Sequence, residues 1–255
     1  MSIDIHFLGT GTCALRPGNA SACYVVNIDN TPIVMELGNG ALYRLLQAGY
    51  DYRSLQWLLA THAHPDHISD IMMLFVSLLY TPDFKRSDDL HIAAPASVFE
   101  YLDTLQRFYS NAFSPTEFRV NRRVLRPRDI IATDTFTLTA FGMNHFVDAL
   151  GFRIESQGVT IAFSGDTDEC RDIDKLCKDA DVAILDASFL HAEKAPGHLS
   201  VRQCGEIAAR CNVGTLVLSH RNPQVTGDKA EAEVRDAGFE GTICIPDDGH
   251  RMILT

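Results

Sequence analysis

No stretch of this chain approaches the ~18 consecutive apolar residues that a membrane-spanning helix requires. The longest candidate, Ile71–Tyr80, ends too soon, so neither a membrane span nor a membrane partner is expected. Met1-Ser2-Ile3-Asp4 lacks both the basic segment and the apolar run of a secretory leader. Cysteine pairs at CxxC spacing are missing too. The seven cysteines are odd in number and scattered, which points to a reduced, cytoplasmic chain. Cys170 and Cys177, like Cys204 and Cys211, recur seven apart and read as small buried apolar residues. Basic side chains are in deficit. There are 22 Lys and Arg against 33 Asp and Glu, a formal charge of −11, which argues against non-specific nucleic-acid binding. It does not argue against an anionic substrate held at a metal centre. One run opposes the average: Arg119, Arg122, Arg123, Arg126 and Arg128. It reads as a solvated strand and loop ahead of a phosphate- or partner-binding patch. No repeat or low-complexity linker interrupts the chain. Residues 1–255 therefore read as one domain, long enough to bury a sizeable core.

What is present in concentration is the segment Thr61-His62-Ala63-His64-Pro65-Asp66-His67. It follows an apolar run, Leu55–Ala60, that reads as a buried strand. The four metal-binding side chains His62, His64, Asp66 and His67 would then stand in a loop at the strand's carboxyl edge, where open α/β sheets hold their sites. Imidazole mixed with carboxylate suits zinc, iron or manganese. Elsewhere strands and helices alternate. Ile3–Leu8, Cys23–Ile28, Thr31–Glu36, Leu90–Ala93, Phe136–Phe141, Leu150–Glu155, Thr160–Phe163, Val182–Asp186 and Thr215–Leu218 read as strands. Gly40–Ala48, Ile68–Leu79, Ser97–Phe108, Arg171–Lys178 and Val201–Cys211 read as helices.

The HxHxDH segment resembles the signature of the metallo-β-lactamase superfamily, in its ribonuclease Z and cyclic phosphodiesterase branch. Phe7-Leu8-Gly9-Thr10-Gly11 and Pro17-Gly18-Asn19-Ala20-Ser21 are similar to that branch's opening strand and loop. Glu36, in Val34-Met35-Glu36-Leu37-Gly38, stands where the family usually has an aspartate. His145, Gly165-Asp166-Thr167 and Ser219-His220 match the later metal motifs in order. The resemblance implies an α/β fold, a four-layer αββα sandwich in a single domain. It also implies two divalent ions, zinc first, with manganese or iron as alternatives. His62, His64 and His145 would hold one ion, and Asp66, His67 and His220 the other, with Asp166 bridging them. Two such ions acidify a shared water and steady an anionic transition state.

Gly197-His198-Leu199-Ser200 resembles the histidine motif that the same branch carries before its last metal ligand. His198 would then contact a phosphoryl oxygen and protonate the leaving oxygen. Asp186 occupies a position similar to the acid that orients that histidine. Asp66 would bind metal and accept a proton from the nucleophile. Read from the residues alone, Ser200 is a helix N-cap, and His191 and His250 cannot be separated from surface histidines. The sequence also departs from ribonuclease Z. It has no glycine- and basic-rich arm, Arg221-Asn222-Pro223 follows His220, and Ile68-Ser69-Asp70 follows His67. A small or cyclic phosphodiester, or a short oligonucleotide, is therefore the expected substrate. The alternatives are a transfer-RNA 3′-endonuclease, an arylsulfatase, a thioesterase, and a metal-containing binding protein with little turnover. A homodimer is implied by resemblance only.

Overall fold

The computed structural model describes residues 2–109, 114 and 118–254. In chain order the elements are β1 (Ile3–Gly9), β2 (Cys23–Ile28), β3 (Thr31–Met35), α1 (Ala41–Gln47), β4 (Trp57–Leu59), α2 (Pro65–Tyr80), β5 (Leu90–Ala94), α3 (Ala96–Phe108) and β6 (Val120–Val124). They continue with β7 (Ile130–Ala132), β8 (Thr137–Gly142), β9 (Leu150–Ser156), β10 (Val159–Phe163), α4 (Ile173–Cys177), β11 (Val182–Asp186), α5 (Val201–Arg210), β12 (Thr215–Ser219), α6 (Gly227–Asp236), β13 (Thr242–Cys244) and β14 (His250–Ile253). The chain forms two compact units that alternate along the sequence. One comprises Met1–Gly9, Pro17–Leu125 and Asp247–Thr255; the other comprises Thr10–Arg16 and Arg126–Pro246.

The first unit holds a seven-stranded sheet in the order β14-β1-β2-β3-β4-β5-β6. β3, β4, β5 and β6 pair in parallel, and the β14-β1-β2-β3 side is antiparallel. β2 and β4 are buried at every position, which is why they read as continuous apolar runs. α2 packs Ile68, Ile71, Leu74, Phe75 and Leu78 into the core beneath, at helical spacing. The helix begins three residues earlier than its apolar period predicts. Pro65 occupies the first helical turn, where a missing N–H costs nothing. Asp66 and His67 are therefore on the helix, not in the loop as expected.

The second unit holds another seven-stranded sheet, ordered β13-β12-β11-β10-β9-β8-β7. Its strands β10 to β13 are parallel, and β7 to β10 are antiparallel. β9 and β10 are joined by a tight turn at Gln157-Gly158, both with positive φ. α4, α5 and α6 cover an apolar cluster that includes Cys177, Cys204 and Cys211, with Cys170 packed against it. All seven cysteines are free thiols. Burial pushes the Cys177 and Cys204 thiols well up, as befits inert packing groups. Among the described residues no helix is long and apolar enough to cross a membrane.

The five arginines divide between the units. In the first, Arg122 pairs with Asp103 at 2.6 Å and lies over the Phe99 ring. In the second, Arg128 pairs with Asp172 at 3.1 Å and lies over Phe141. All five are exposed, as in the solvated strand-and-loop reading.

Candidate metal centre

In the first unit, β4 delivers the chain through Ala60 and Thr61 to His62, which is fully buried. His64 caps α2, and Asp66 and His67 occupy its first turn. The His62 ring lies 4.7 Å from that of His64 and 4.1 Å from that of His67, centroid to centroid. Thr61 Oγ1 is 2.9 Å from His62 Nδ1 and fixes that ring from behind. Glu36 anchors the far side of the cluster. It follows β3 with a left-handed φ of 63° and is fully buried. Its Oε1 accepts the Thr61 N–H at 3.1 Å, and its Oε2 stands 3.6 Å from His67 Nδ1. Glu36 thus lies on the Nδ1 side of the His67 ring, and Asp66 on its Nε2 side at 3.7 Å. Gly38 makes this approach feasible, because a Cβ there would meet the Asp66 carbonyl oxygen at 2.0 Å.

In the second unit, Asp166 follows β10, Asp186 ends β11 and His220 follows β12. Together with His198, just before α5, they place one donor atom each within 4.8 Å of one another. Asp166 is almost fully buried. Its Oδ1 lies 3.4 Å from His220 Nδ1, and its Oδ2 lies 3.8 Å from His145 Nε2 and 3.9 Å from His198 Nδ1. His145 Nδ1 is held by the Gly197 carbonyl at 2.7 Å. A carbonyl can only accept, so Nδ1 carries the proton and Nε2 offers its lone pair toward Asp166. That is how a metal-binding imidazole is normally presented.

Asp186 is placed differently. Oδ1 accepts from the Ser188 N–H at 3.1 Å and the Ser188 hydroxyl at 2.6 Å. Oδ2 accepts from the Thr167 N–H at 3.1 Å and from His198 Nδ1 at 2.8 Å. Four protein donors use up its lone pairs, so Asp186 suits orienting His198 better than binding an ion. Burial works against its charge, yet the bond from His198 and the nearby His220 ring hold its pKa below the usual carboxylate range. Burial likewise disfavours a charged His198, but the bond to Asp186 and the nearby Asp166 charge raise its pKa above the ordinary value.

Several residues of this cluster carry no signal in the sequence. Ser188 Oγ lies between Asp186, His220 Nδ1 at 3.1 Å and His198 Nδ1 at 3.3 Å. Asp168 accepts Lys194 at 2.8 Å and the Gly197 N–H at 3.3 Å, which ties down the loop leading to His198. Ser200 then caps α5 in a reciprocal capping box with Gln203, as its position predicts. His191 bonds Ser200 Oγ at 3.1 Å and so supports that cap. His250 lies exposed on β14 against the Phe7 ring.

Gly197 is the tightest point of the loop. Its φ is +83°, and a Cβ there would lie 2.5 Å from Phe146 Cε2. Gly197→Ala should lower stability by about 1–2 kcal/mol through left-handed strain. It should also shift the carbonyl that holds His145. Urea denaturation checks the first effect, and unchanged unfolding would contradict this account.

Residues 34–221 match the family model described as a β-lactamase superfamily domain. The uncharacterized protein Rv1339 of Mycobacterium tuberculosis is 27% identical over 95% of this chain and 89% of its own length. A ribonuclease Z of Mycobacterium bovis is 26% identical over 98% of both chains. Among solved structures, the metallo-β-lactamase fold protein YhfI of Bacillus subtilis superposes with a TM-score of 0.88 at 20% identity, covering 100% of each chain. By sequence and by fold, the chain belongs to the β-lactamase superfamily and takes the form of its metallohydrolase members.

Proposed function

We propose that this protein is a dinuclear metal-dependent phosphodiesterase acting on a small or cyclic diester or a short oligonucleotide. In this reading His62, His64 and His145 hold one ion, Asp66, His67 and His220 hold the other, and Asp166 bridges them. Zinc is the first candidate, with manganese or iron as alternatives. The donor set suits such ions: imidazoles held through Nδ1 by Thr61 at His62 and by the Gly197 carbonyl at His145, with the Asp166 carboxylate among three rings. When bound, the pair of ions supplies Lewis acidity, lowering the pKa of a water and offsetting charge on the phosphoryl oxygens.

The observation that carries the reading is the Asp186–His198 pair beside Asp166. A histidine fixed through Nδ1 presents Nε2 outward. That nitrogen would face a phosphoryl or leaving oxygen and could pass it a proton. A protein that only stored metal would have no use for such a residue. The tight β9–β10 turn supports a small substrate, since no gripping arm leaves the chain between His145 and Asp166.

The test is steady-state hydrolysis of bis(p-nitrophenyl) phosphate by metal-loaded protein, with His198→Ala at matched metal content. Turnover should fall by about 10²–10⁴-fold in the variant while bound metal stays constant. Full activity of His198→Ala on every diester would refute its role. Activity on precursor transfer RNA alone would favour the endonuclease. Tight metal without hydrolysis of phosphate, sulfate or thioesters would favour a binding protein.

A further inference from the structure

Phe146 directly follows the metal-type ligand His145 and belongs to the loop between β8 and β9. It is 69% exposed, and it is the exposed aromatic side chain among the described residues of the second unit. Single exposed apolar residues are common and usually mean nothing. This one stands beside His145 and over the Gly197 turn. Its Cε2, Cζ and Cδ2 atoms fill the position that a side chain at residue 197 would take, within 3.0 Å of an ideal Cβ. Its ring centroid is 5.3 Å from that of His145, and the His145 ring is 5.0 Å from that of His198. The left-handed glycine therefore does two things: its carbonyl orients His145, and its missing side chain seats Phe146. Phe189 cannot serve in the same way, because it is only partly exposed and already stands edge-on to His198 at 5.9 Å.

We propose that Phe146 is a stacking platform for a planar aromatic group carried by the substrate, a nucleobase above all. The proposal rests on the phosphodiesterase reading and narrows it from diesters in general to base-bearing ones. A phosphate near His145 and His198 would leave an attached base within reach of the adjacent ring. Base–aromatic stacking tolerates any base, so the platform selects for a base rather than for one particular base.

The experiment is calorimetric binding of AMP and of ribose 5-phosphate to metal-loaded protein, comparing wild type with Phe146→Ala and Phe146→Trp. Wild type should prefer AMP by about tenfold, and Phe146→Ala should lose that preference. Phe146→Trp should keep it, and affinity for ribose 5-phosphate should stay within about twofold throughout. Equal affinity of wild type for the two ligands, or an AMP preference that survives Phe146→Ala, would overturn the platform. Failure of the phosphodiesterase reading gives a different pattern: no diester turnover with the Phe146-dependent AMP preference intact.

Discussion

Asp166→Ala is expected to bind neither ion and to hydrolyse no diester, a loss of at least about 10³-fold in turnover. The reason is its position among three imidazoles, those of His145, His198 and His220, each within 3.9 Å of one of its oxygens. Removing the carboxylate would leave only imidazoles for the His62, His64 and His145 site, and Asp66 as the one carboxylate left to offset two divalent charges. Asp186 cannot take its place, because its oxygens already accept four hydrogen bonds. Elemental analysis after gel filtration gives the metal content, and circular dichroism checks the fold. An Asp166→Ala protein with two ions and near-normal turnover would dismantle the proposed centre. His64→Ala tests the same centre from the first unit, with the same expected loss.

Asp186→Asn should lower both turnover and stability. The substitution keeps the shape but turns one acceptor into a donor. On the Oδ1 side the new amide hydrogens would face the Ser188 N–H, and on the Oδ2 side the Thr167 N–H. Either orientation sets donor against donor in a buried site, at a cost of about 2–3 kcal/mol. His198 loses the partner that fixes its tautomer, so turnover should fall by about 10²-fold or more. A positioning role makes a sharper prediction than a structural one. In a His198→Ala background, Asp186→Asn should lower turnover by less than about threefold, since the residue it positions is already gone. Fully additive losses would show that Asp186 acts by some other route.

The site was legible in the sequence to the extent that its chemistry is local. His62, His64, Asp66 and His67 are neighbours in the chain, and buried strands such as β11 and β12 are short apolar runs. What escaped depends on contacts between distant residues or on polar sequence. The Ser188 hydroxyl and the Gly197 carbonyl are ordinary groups until folding sets them against His220 and His145. Helix α6, Gly227–Asp236, buries only Ala230 and Val234, too sparse a stripe for its period to be read. β6 and β7 are edge strands with largely exposed residues, so alternation is weak there. The start of α2 was misplaced because Pro65 reads as a break, although proline is at home in a first turn.

The placement of β14 carries a consequence for biosynthesis. This strand pairs with β1, from Asp4↔Ile253 to Phe7↔His250, so two segments far apart in the sequence lie side by side in one sheet. Asp248, just before it, accepts the Ala20 N–H and pairs with Arg44 at 2.8 Å. Until β14 has been made and docked, β1 therefore keeps an open edge. An exposed edge of that kind invites pairing with other chains. Chains truncated before His250 should therefore be markedly more protease-sensitive at β1 than the full chain.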